Sequence, residues 1–312
     1  MTTGLVIGKF LPPHHGHKHL IDTAAAAVDH LDVLVCARPD QPIDGPTRAR
    51  WLTEIHPGIS VIVVDDDIPD ESEPWARRTV ETLGRPPDVV FTSEDYGPRF
   101  AALLGARHVS VDPDRRRYPV SGTAVRADPA AHWHLLEPCV RAHYARRVCI
   151  VGAESTGTTT LARALAEYFH TLWVPECGRR YSEERAPGPW STAEFVAIAR
   201  RQQADEDDAA RHSGPVLVCD TDALATAVWH ERYLGQPSPE VEALAAARPY
   251  SLHVLTRDDI PFVQDGTRDG EHLRRWMTER FRQRLAERAE PWIEVGGNLD
   301  ARVTAVVAAL SS

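Results

Sequence analysis

The sequence predicts an α/β protein made of two doubly wound domains. Two observations carry that expectation. Short apolar runs rich in Val, Ile and Leu alternate with helical patterns along the chain, the order that builds parallel sheets flanked by helices. A fresh series starts near the middle, at RVCIVGAESTGTTTLARAL (residues 147–165), so the 312 residues fall into halves near a common domain size of roughly 150. The predicted domains are 1–145 and 146–312.

In the first half, residues 5–7, 32–36, 60–64 and 89–91 read as buried strands. Residues 18–28, 47–55 and 74–83 carry helical spacing between them, and 130–145 reads as a closing helix. In the second half, 148–151, 172–174, 215–219, 251–255 and 292–295 read as strands, and 158–169, 192–211, 275–288 and 300–310 as helices. The run Asp205-Glu206-Asp207-Asp208 reads as a solvated helix face. Ligands of such sheets bind beyond the carboxyl ends of the strands, so the loops that follow strands are where chemistry is expected.

Bulk composition narrows the function. The formal net charge of −10 speaks against a nucleic-acid-binding surface and for small ligands. Five scattered cysteines without a C-x-x-C pair point to a reduced, cytoplasmic chain. No apolar run reaches the ~18 residues of a membrane span. The opening MTTGLVIGKF already reads as a strand, not as a signal peptide. A homo-oligomeric state is left open.

The loop after the first strand is Gly8-Lys9-Phe10-Leu11-Pro12-Pro13-His14-His15-Gly16-His17, and it runs into a helix. A helix start favours anions, the histidines add directional donors, and Gly16 permits close backbone approach. Later in this half, Tyr118-Pro119-Val120-Ser121-Gly122-Thr123-Ala124-Val125-Arg126 puts an N-cap serine, a second hydroxyl and a guanidinium at one helix start, a second phosphate clamp. Together the stretches resemble the paired H-x-G-H and I-S-x-T-x-x-R signatures of the nucleotidylyltransferase superfamily. The variant is similar to nicotinamide-mononucleotide adenylyltransferases of the bifunctional NadR type, as is Ser93-Glu94-Asp95-Tyr96-Gly97.

The resemblance implies a Rossmann-like nucleotidylyltransferase domain. In such a domain the 5′-phosphate of nicotinamide mononucleotide attacks the α-phosphorus of ATP, with Mg²⁺, giving NAD and pyrophosphate. It implies His14 and His17 at the α-phosphate and Lys9 near the triphosphate or the attacking phosphate. Gly8, Phe10 and Gly16 belong to the same nucleotide-binding loop, and Ser121, Thr123 and Arg126 would hold the β- and γ-phosphates. Trp51 reads equally as a ring that stacks on nicotinamide or as a half-buried helix tryptophan, with Arg48 and Arg50 beside it. Asp65-Asp66-Asp67 reads as a polar strand end.

The second half opens on a strand, the turn Gly152-Ala153-Glu154-Ser155-Thr156-Gly157-Thr158-Thr159-Thr160, and a helix. G-x-x-x-x-G in this setting is a phosphate-binding P-loop: glycines let backbone N–H groups converge on the anion and the helix start adds its dipole. Thr158 stands where the pattern has lysine, while Thr159 keeps the Mg²⁺-ligand position. The strand at 215–219 leads into Asp220-Thr221-Asp222, with a carboxylate placed to hold Mg²⁺. Residues 258–275 form a polar loop bearing Arg268, Arg274 and Arg275.

With Val174-Pro175-Glu176 and Pro261-Phe262-Val263-Gln264-Asp265-Gly266-x-Arg268, these features resemble the P-loop ribosylnicotinamide kinase domain of the same type. The resemblance implies transfer of the γ-phosphate of ATP to the 5′-hydroxyl of ribosylnicotinamide. Glu176 and Asp222 are the candidates for the carboxylate that takes the hydroxyl proton, and the sequence does not choose between them. Trp173, Tyr181, Trp190 and Trp229 read as stacking rings or as core. Three readings of Thr158 stay open: Arg163, Arg179 or an arginine of the 258–275 loop, which resembles the lid of small-molecule kinases, replaces the lysine; the kinase is weak; or the domain senses ATP or NAD without turnover. A repressor role would need an added DNA-binding segment, which is not expected in an acidic chain that opens on its first strand.

Overall fold

The computed structural model describes residues 1–264 and 271–311, so Arg268 lies outside the described residues. The chain divides into two compact units, Met1–Val140 and Arg141–Ser312.

In the first unit β1 (Thr3–Gly8), β2 (His30–Ala37), β3 (Ser60–Asp65), β4 (Val89–Thr92) and β5 (Arg107–Ser110) form a parallel sheet in the order β3-β2-β1-β4-β5. Both faces are apolar, as a parallel sheet covered on both sides requires. Val6, Val33, Val35 and Phe91 pack with Leu20, Ile21 and Leu52. Their neighbours Leu5, Leu34 and Val90 pack with Trp75, Phe100 and Leu104. The covering helices are α1 (His15–Ala25), α2 (Gly45–Ile55), α3 (Ser72–Leu83) and α4 (Gly97–Leu104), with α5 (Gly122–Ala127) after β5. α2 starts at Gly45 because Asp44 caps it, accepting the Thr47 N–H at 2.6 Å, and Pro46 suits a first turn. Strand order reverses at β1 and β4, so the loops after these strands open the ligand crevice.

Residues 130–145 do not form the single helix expected. A 3₁₀ turn at Trp133–Leu135 precedes α6 (Pro138–Tyr144). Pro138 has no N–H to donate and disfavours helical backbone at Glu137, so the pattern breaks there.

The second unit has the parallel order β10-β9-β6-β8-β7, from β6 (Arg146–Val151), β7 (Trp173–Val174), β8 (Val216–Asp220), β9 (Leu252–Thr256) and β10 (Trp292–Val295). Its helices are α7 (Thr158–Tyr168), α8 (Cys177–Glu184), α9 (Thr192–His212), α10 (Ala223–Leu234), α11 (Pro239–Ala246), α12 (Arg274–Ala286) and α13 (Leu299–Ser311). One sheet face is apolar: Val148, Ile150, Val218 and Val254 pack with Leu161 and Leu165 of α7 and Val306 of α13.

The other face is polar at its centre. Cys149 lies in register with Cys219 and His253, so the three share that face, and all are buried. Here the reading of residues 205–208 as a solvated face fails at Glu206, while Asp207 and Asp208 are exposed. Glu206 is 0% exposed and accepts the Tyr250 hydroxyl at 3.0 and 2.9 Å, with Arg248 at 3.7 Å. Asp207 instead faces outward and binds Arg147 and Arg248. Burial pushes the Glu206 carboxyl up to about 7, against the pull of Arg248 and the Tyr250 hydroxyl.

The native state therefore holds this proton more tightly than the unfolded chain. The stabilisation is full below pH 4.5, the ordinary value, and is lost as pH rises towards 7. Urea unfolding at pH 5 and pH 8 should show up to roughly 3 kcal/mol of pH-dependent loss from this group, absent in Glu206→Gln. The same pH dependence in both proteins would contradict the assignment.

Candidate active sites

The crevice of the first unit is a cavity of ≈ 740 Å³ whose lining includes Gly8, Lys9, Phe10, His14, Gly16, His17, Ser121, Gly122, Thr123 and Arg126. His14 caps α1: its Nδ1 accepts the His17 N–H at 3.4 Å, and the two rings stack with centroids 3.8 Å apart. Burial pushes His14 down to about 4 and His17 well below its usual range; the charges of Arg115 and of neighbouring histidines push the same way. Both rings are therefore neutral at pH 7 and act as hydrogen-bonding groups, not as cations. Among the described residues, His17 Nδ1 is buried without a hydrogen-bond partner.

Two motifs about a hundred residues apart meet because Gly122 permits it. A Cβ there would lie 2.4 Å from the Leu11 carbonyl oxygen, and Arg126 donates to that same carbonyl. Ser121 caps α5, accepting the Ala124 N–H at 3.1 Å, and Arg126 reaches Thr123 Oγ1 at 3.3 Å. Lys9 Nζ lies 3.8 Å from Asp66 Oδ2. The three-aspartate run is thus more than a strand end, since Asp66 lines the crevice while Asp67 pairs with Arg78 at 3.1 Å.

The residues of α2 stand apart from the crevice lining. Arg48 is fully buried and donates to the Lys9 carbonyl, to Cys36 O at 3.2 Å and to Gln41 Oε1 at 2.6 Å, so it fastens the first loop. Arg50 is exposed and donates to Thr47. Trp51 is 9% exposed on α2 and does not line the crevice, so the stacking role gives way to packing. Trp75, Tyr96 and Arg115 do line it. Sequence reasoning gave none of these three a role, although Tyr96 lies in the quoted SEDYG stretch.

In the second unit a cavity of ≈ 180 Å³ is lined by Gly152, Glu154, Ser155, Gly157, Thr158, Thr159 and Thr160, with Glu176, Arg179 and Asp220. Only glycine fits at 152, where a Cβ would lie 2.1 Å from Thr256 Oγ1. Thr159 donates to Asp220 Oδ2 at 2.6 Å. Asp220 is buried, which raises its pKa; the hydroxyls of Thr159 and Thr158, then Arg179 and Arg163, oppose that rise. Thr158 therefore joins the carboxylate in place of the cation a lysine would supply.

The arginines divide clearly. Arg163 lies 5.0 Å over the Trp173 ring. Arg274 donates to Ser155 O at 3.2 Å and Ile260 O at 3.0 Å, and Arg302, absent from the sequence-based candidates, donates to Thr156 O at 2.6 Å. Arg275 is exposed. Arg179, by contrast, lines the cavity beside Thr158 and Asp220. Of the expected rings, Trp190 and Trp229 line it and Trp173 and Tyr181 do not; Phe195 and Tyr233 complete an aromatic wall, with Trp190–Tyr233 centroids at 5.3 Å.

The two carboxylate candidates separate as well. Thr221, at φ 80°, turns the chain after β8, and Asp222 leaves the cavity. Asp222 is 1% exposed, caps α10 by accepting the Ala225 N–H at 2.8 Å, and hydrogen-bonds His253 Nε2 at 3.0 Å. Its role is structural, and the expectation of a catalytic base there is corrected. Glu176 remains in the cavity lining.

Two stacked neutral imidazoles at an anion-binding helix start, and a glycine loop with a hydroxyl–carboxylate pair, define a two-domain nucleotide-transferring enzyme. Residues 147–302 match the family model of an AAA domain. The chain is 30% identical over 296 residues to the trifunctional NAD biosynthesis/regulator protein NadR of Escherichia coli (strain K12), across 86% of this chain and 72% of that protein. It is 29% identical over 294 residues to the protein of the same name from Salmonella typhimurium, across 85% and 71%. The fold matches crystal structures of NadR protein in complex with NR (TM-score 0.80, 21% identity, 99% of this chain and 95% of that one) and with NAD and AMP-PNP (0.77, 22%, with the same coverage). The chain belongs to the NadR family of NAD biosynthesis/regulator proteins. Among the described residues no helix is long and apolar enough to cross a membrane.

Asp222→Ala removes a helix cap and leaves His253 buried without its partner. Chemical denaturation should register a loss of about 2–4 kcal/mol. A change under 0.5 kcal/mol, on the order of a neutral surface substitution, would show that Asp222 has no structural part.

Proposed function

We propose that the first domain transfers AMP from ATP to nicotinamide mononucleotide, releasing NAD and pyrophosphate, and that the second phosphorylates ribosylnicotinamide with ATP, so that the chain serves NAD salvage. The observation that carries the first assignment is the stacked His14–His17 pair facing the Ser121, Thr123 and Arg126 clamp across one crevice. A 5′-phosphate oxygen of the mononucleotide attacks the α-phosphorus and pyrophosphate leaves; no covalent enzyme intermediate is needed. Charge grows on the phosphate oxygens, where neutral imidazole N–H groups and the start of α1 stabilise it. Arg126 and the two hydroxyls hold the departing pyrophosphate, and Lys9 adds a cation beside the α1 loop. The relatives' part in NAD biosynthesis and the ligands in the two NadR crystal structures support these small-molecule partners.

In the second domain the pyridinium ring of ribosylnicotinamide carries a fixed positive charge. Aromatic faces attract such a cation, and Trp190, Trp229 and Tyr233 line the cavity beside the P-loop. Glu176 accepts the proton of the 5′-hydroxyl. Thr159 and Asp220 would hold Mg²⁺: a buried carboxylate and a hydroxyl are hard oxygen donors, and burial raises the Asp220 pKa despite the opposing charges of Arg179 and Arg163. When bound, Mg²⁺ neutralises charge on the β- and γ-phosphates. Arg179 supplies the cation that Thr158 lacks. The sensor reading draws on that same substitution: an ATP site without turnover.

His14→Ala should lower NAD formation from nicotinamide mononucleotide and ATP by about 10²–10³ with an unchanged circular dichroism spectrum. No NAD above background from the wild-type protein at micromolar concentration would remove the adenylyltransferase assignment. Arg179→Ala should cut ribosylnicotinamide phosphorylation by about 10²–10³ while leaving NAD formation from the mononucleotide intact, and Thr158→Lys in that background should restore it. Tight ATP binding by a wild-type protein that never yields mononucleotide would instead favour the sensor.

A further inference from the structure

The loop after β5 carries an arginine that no part of the adenylyltransferase reading above uses. Residues 112–117 fold tightly on Asp112. Asp112 Oδ1 accepts the Arg116 N–H at 2.9 Å, its Oδ2 accepts the Arg117 N–H at 3.2 Å, and its carbonyl accepts the Arg115 N–H at 2.9 Å. Two residues of this loop that are not glycine hold left-handed backbone, Asp112 at φ 48° and Arg115 at φ 51°. Such conformations are uncommon outside glycine and persist where surrounding structure enforces them, often at ligand sites. The outcome is that Arg115 lines the crevice with His14 and His17. Its guanidinium is held by Glu94 Oε1 at 3.3 Å, from the loop after β4, so the pair spans the carboxyl ends of two neighbouring strands.

The charge pattern of the crevice gives this arrangement a purpose. His14 and His17 are neutral, so the cations facing the phosphates come from other side chains. Lys9 lies against Asp66, and Arg126 donates to a backbone carbonyl of its own crevice wall. Arg115 and Glu94 are both about half exposed, so their ion pair is weak, of order 1 kcal/mol or less, and yields readily to a better anion. A phosphate offers a planar guanidinium two parallel hydrogen bonds and more charge than one carboxylate.

We propose that Arg115 is a phosphate-binding residue of the adenylyl-transfer crevice, parked on Glu94 until a nucleotide phosphate takes its place. The phosphate belongs to ATP or to nicotinamide mononucleotide, and separate KM values distinguish the two. The proposal rests on the adenylyltransferase reading. If the wild-type protein makes no NAD, that reading fails; if the wild type is active and Arg115 variants match it, this inference alone fails.

The test compares Arg115→Gln and Arg115→Lys with the wild type in NAD formation across pH. Arg115→Gln should lose about 10²-fold in kcat/KM, with the KM of one nucleotide raised, and Arg115→Lys should recover part of it. The acid limb of the pH profile should also move to higher pH in Arg115→Gln. Removing a cation beside His14 and His17 eases their protonation, with His15, His132, Lys9 and Arg126 as the other basic groups and Asp66, Asp70, Glu71, Glu94 and Asp112 as the acidic ones around the crevice. Glu94→Gln, which frees the guanidinium, should tighten binding of inorganic pyrophosphate several-fold by calorimetry. Equal losses in both Arg115 variants with an unmoved acid limb would assign a structural role and overturn the proposal. Unchanged or weaker pyrophosphate binding in Glu94→Gln would overturn the parking contact.

Discussion

Both nucleotide loops depend on one constraint. A loop that turns its N–H groups towards phosphate turns carbonyl oxygens away from it, and those need donors. In this protein arginines supply them. Arg48 serves Lys9 and Cys36, Arg126 serves Leu11, Arg274 serves Ser155 and Ile260, and Arg302 serves Thr156. Each guanidinium fixes a backbone carbonyl. Arg302 shows the demand most plainly: nearly buried, it also takes Asp259 Oδ1 at 2.5 Å and Gly297 O at 3.0 Å, so its charge is paired and its donors are used.

Under the proposed functions the two sites meet the phosphate differently. The first keeps its imidazoles neutral by burial and positions them by stacking, so that they donate without carrying charge. The second commits two threonine hydroxyls to a buried carboxylate and has no P-loop lysine. In its place are a cavity-lining arginine and guanidinium groups that hold the loop from behind. An aromatic wall on the same cavity suits a flat cationic substrate better than a neutral sugar alone.

Much of this was legible locally. Four strands of the first sheet and all five of the second follow from the alternation of apolar runs, whereas β5 carries no such run; both loops follow from glycines, hydroxyls and histidines within ten residues of one another. The division of roles among side chains was not, because it depends on partners far along the chain. Glu206 looks like one acid in an acidic run until Tyr250 and Arg248 cover it. Asp222 reads as a candidate for the carboxylate that takes the hydroxyl proton until the turn at Thr221 brings it onto His253. Trp51 reads equally as a stacking ring or a half-buried helix residue, with Arg48 beside it, until the packed structure shows both buried on α2. Arg302 stands 146 residues from the carbonyl it serves. The break at Pro138, in contrast, was open to a purely local argument.

The proposed function puts two working transfer sites on one chain, the second without its lysine. Incubating the wild-type protein with ribosylnicotinamide, ATP and Mg²⁺ and following all products with time probes both at once. Nicotinamide mononucleotide should appear first and NAD follow, with ADP and pyrophosphate as the respective by-products. NAD formed from added mononucleotide, but neither product formed from ribosylnicotinamide, would rule out transfer at the second site.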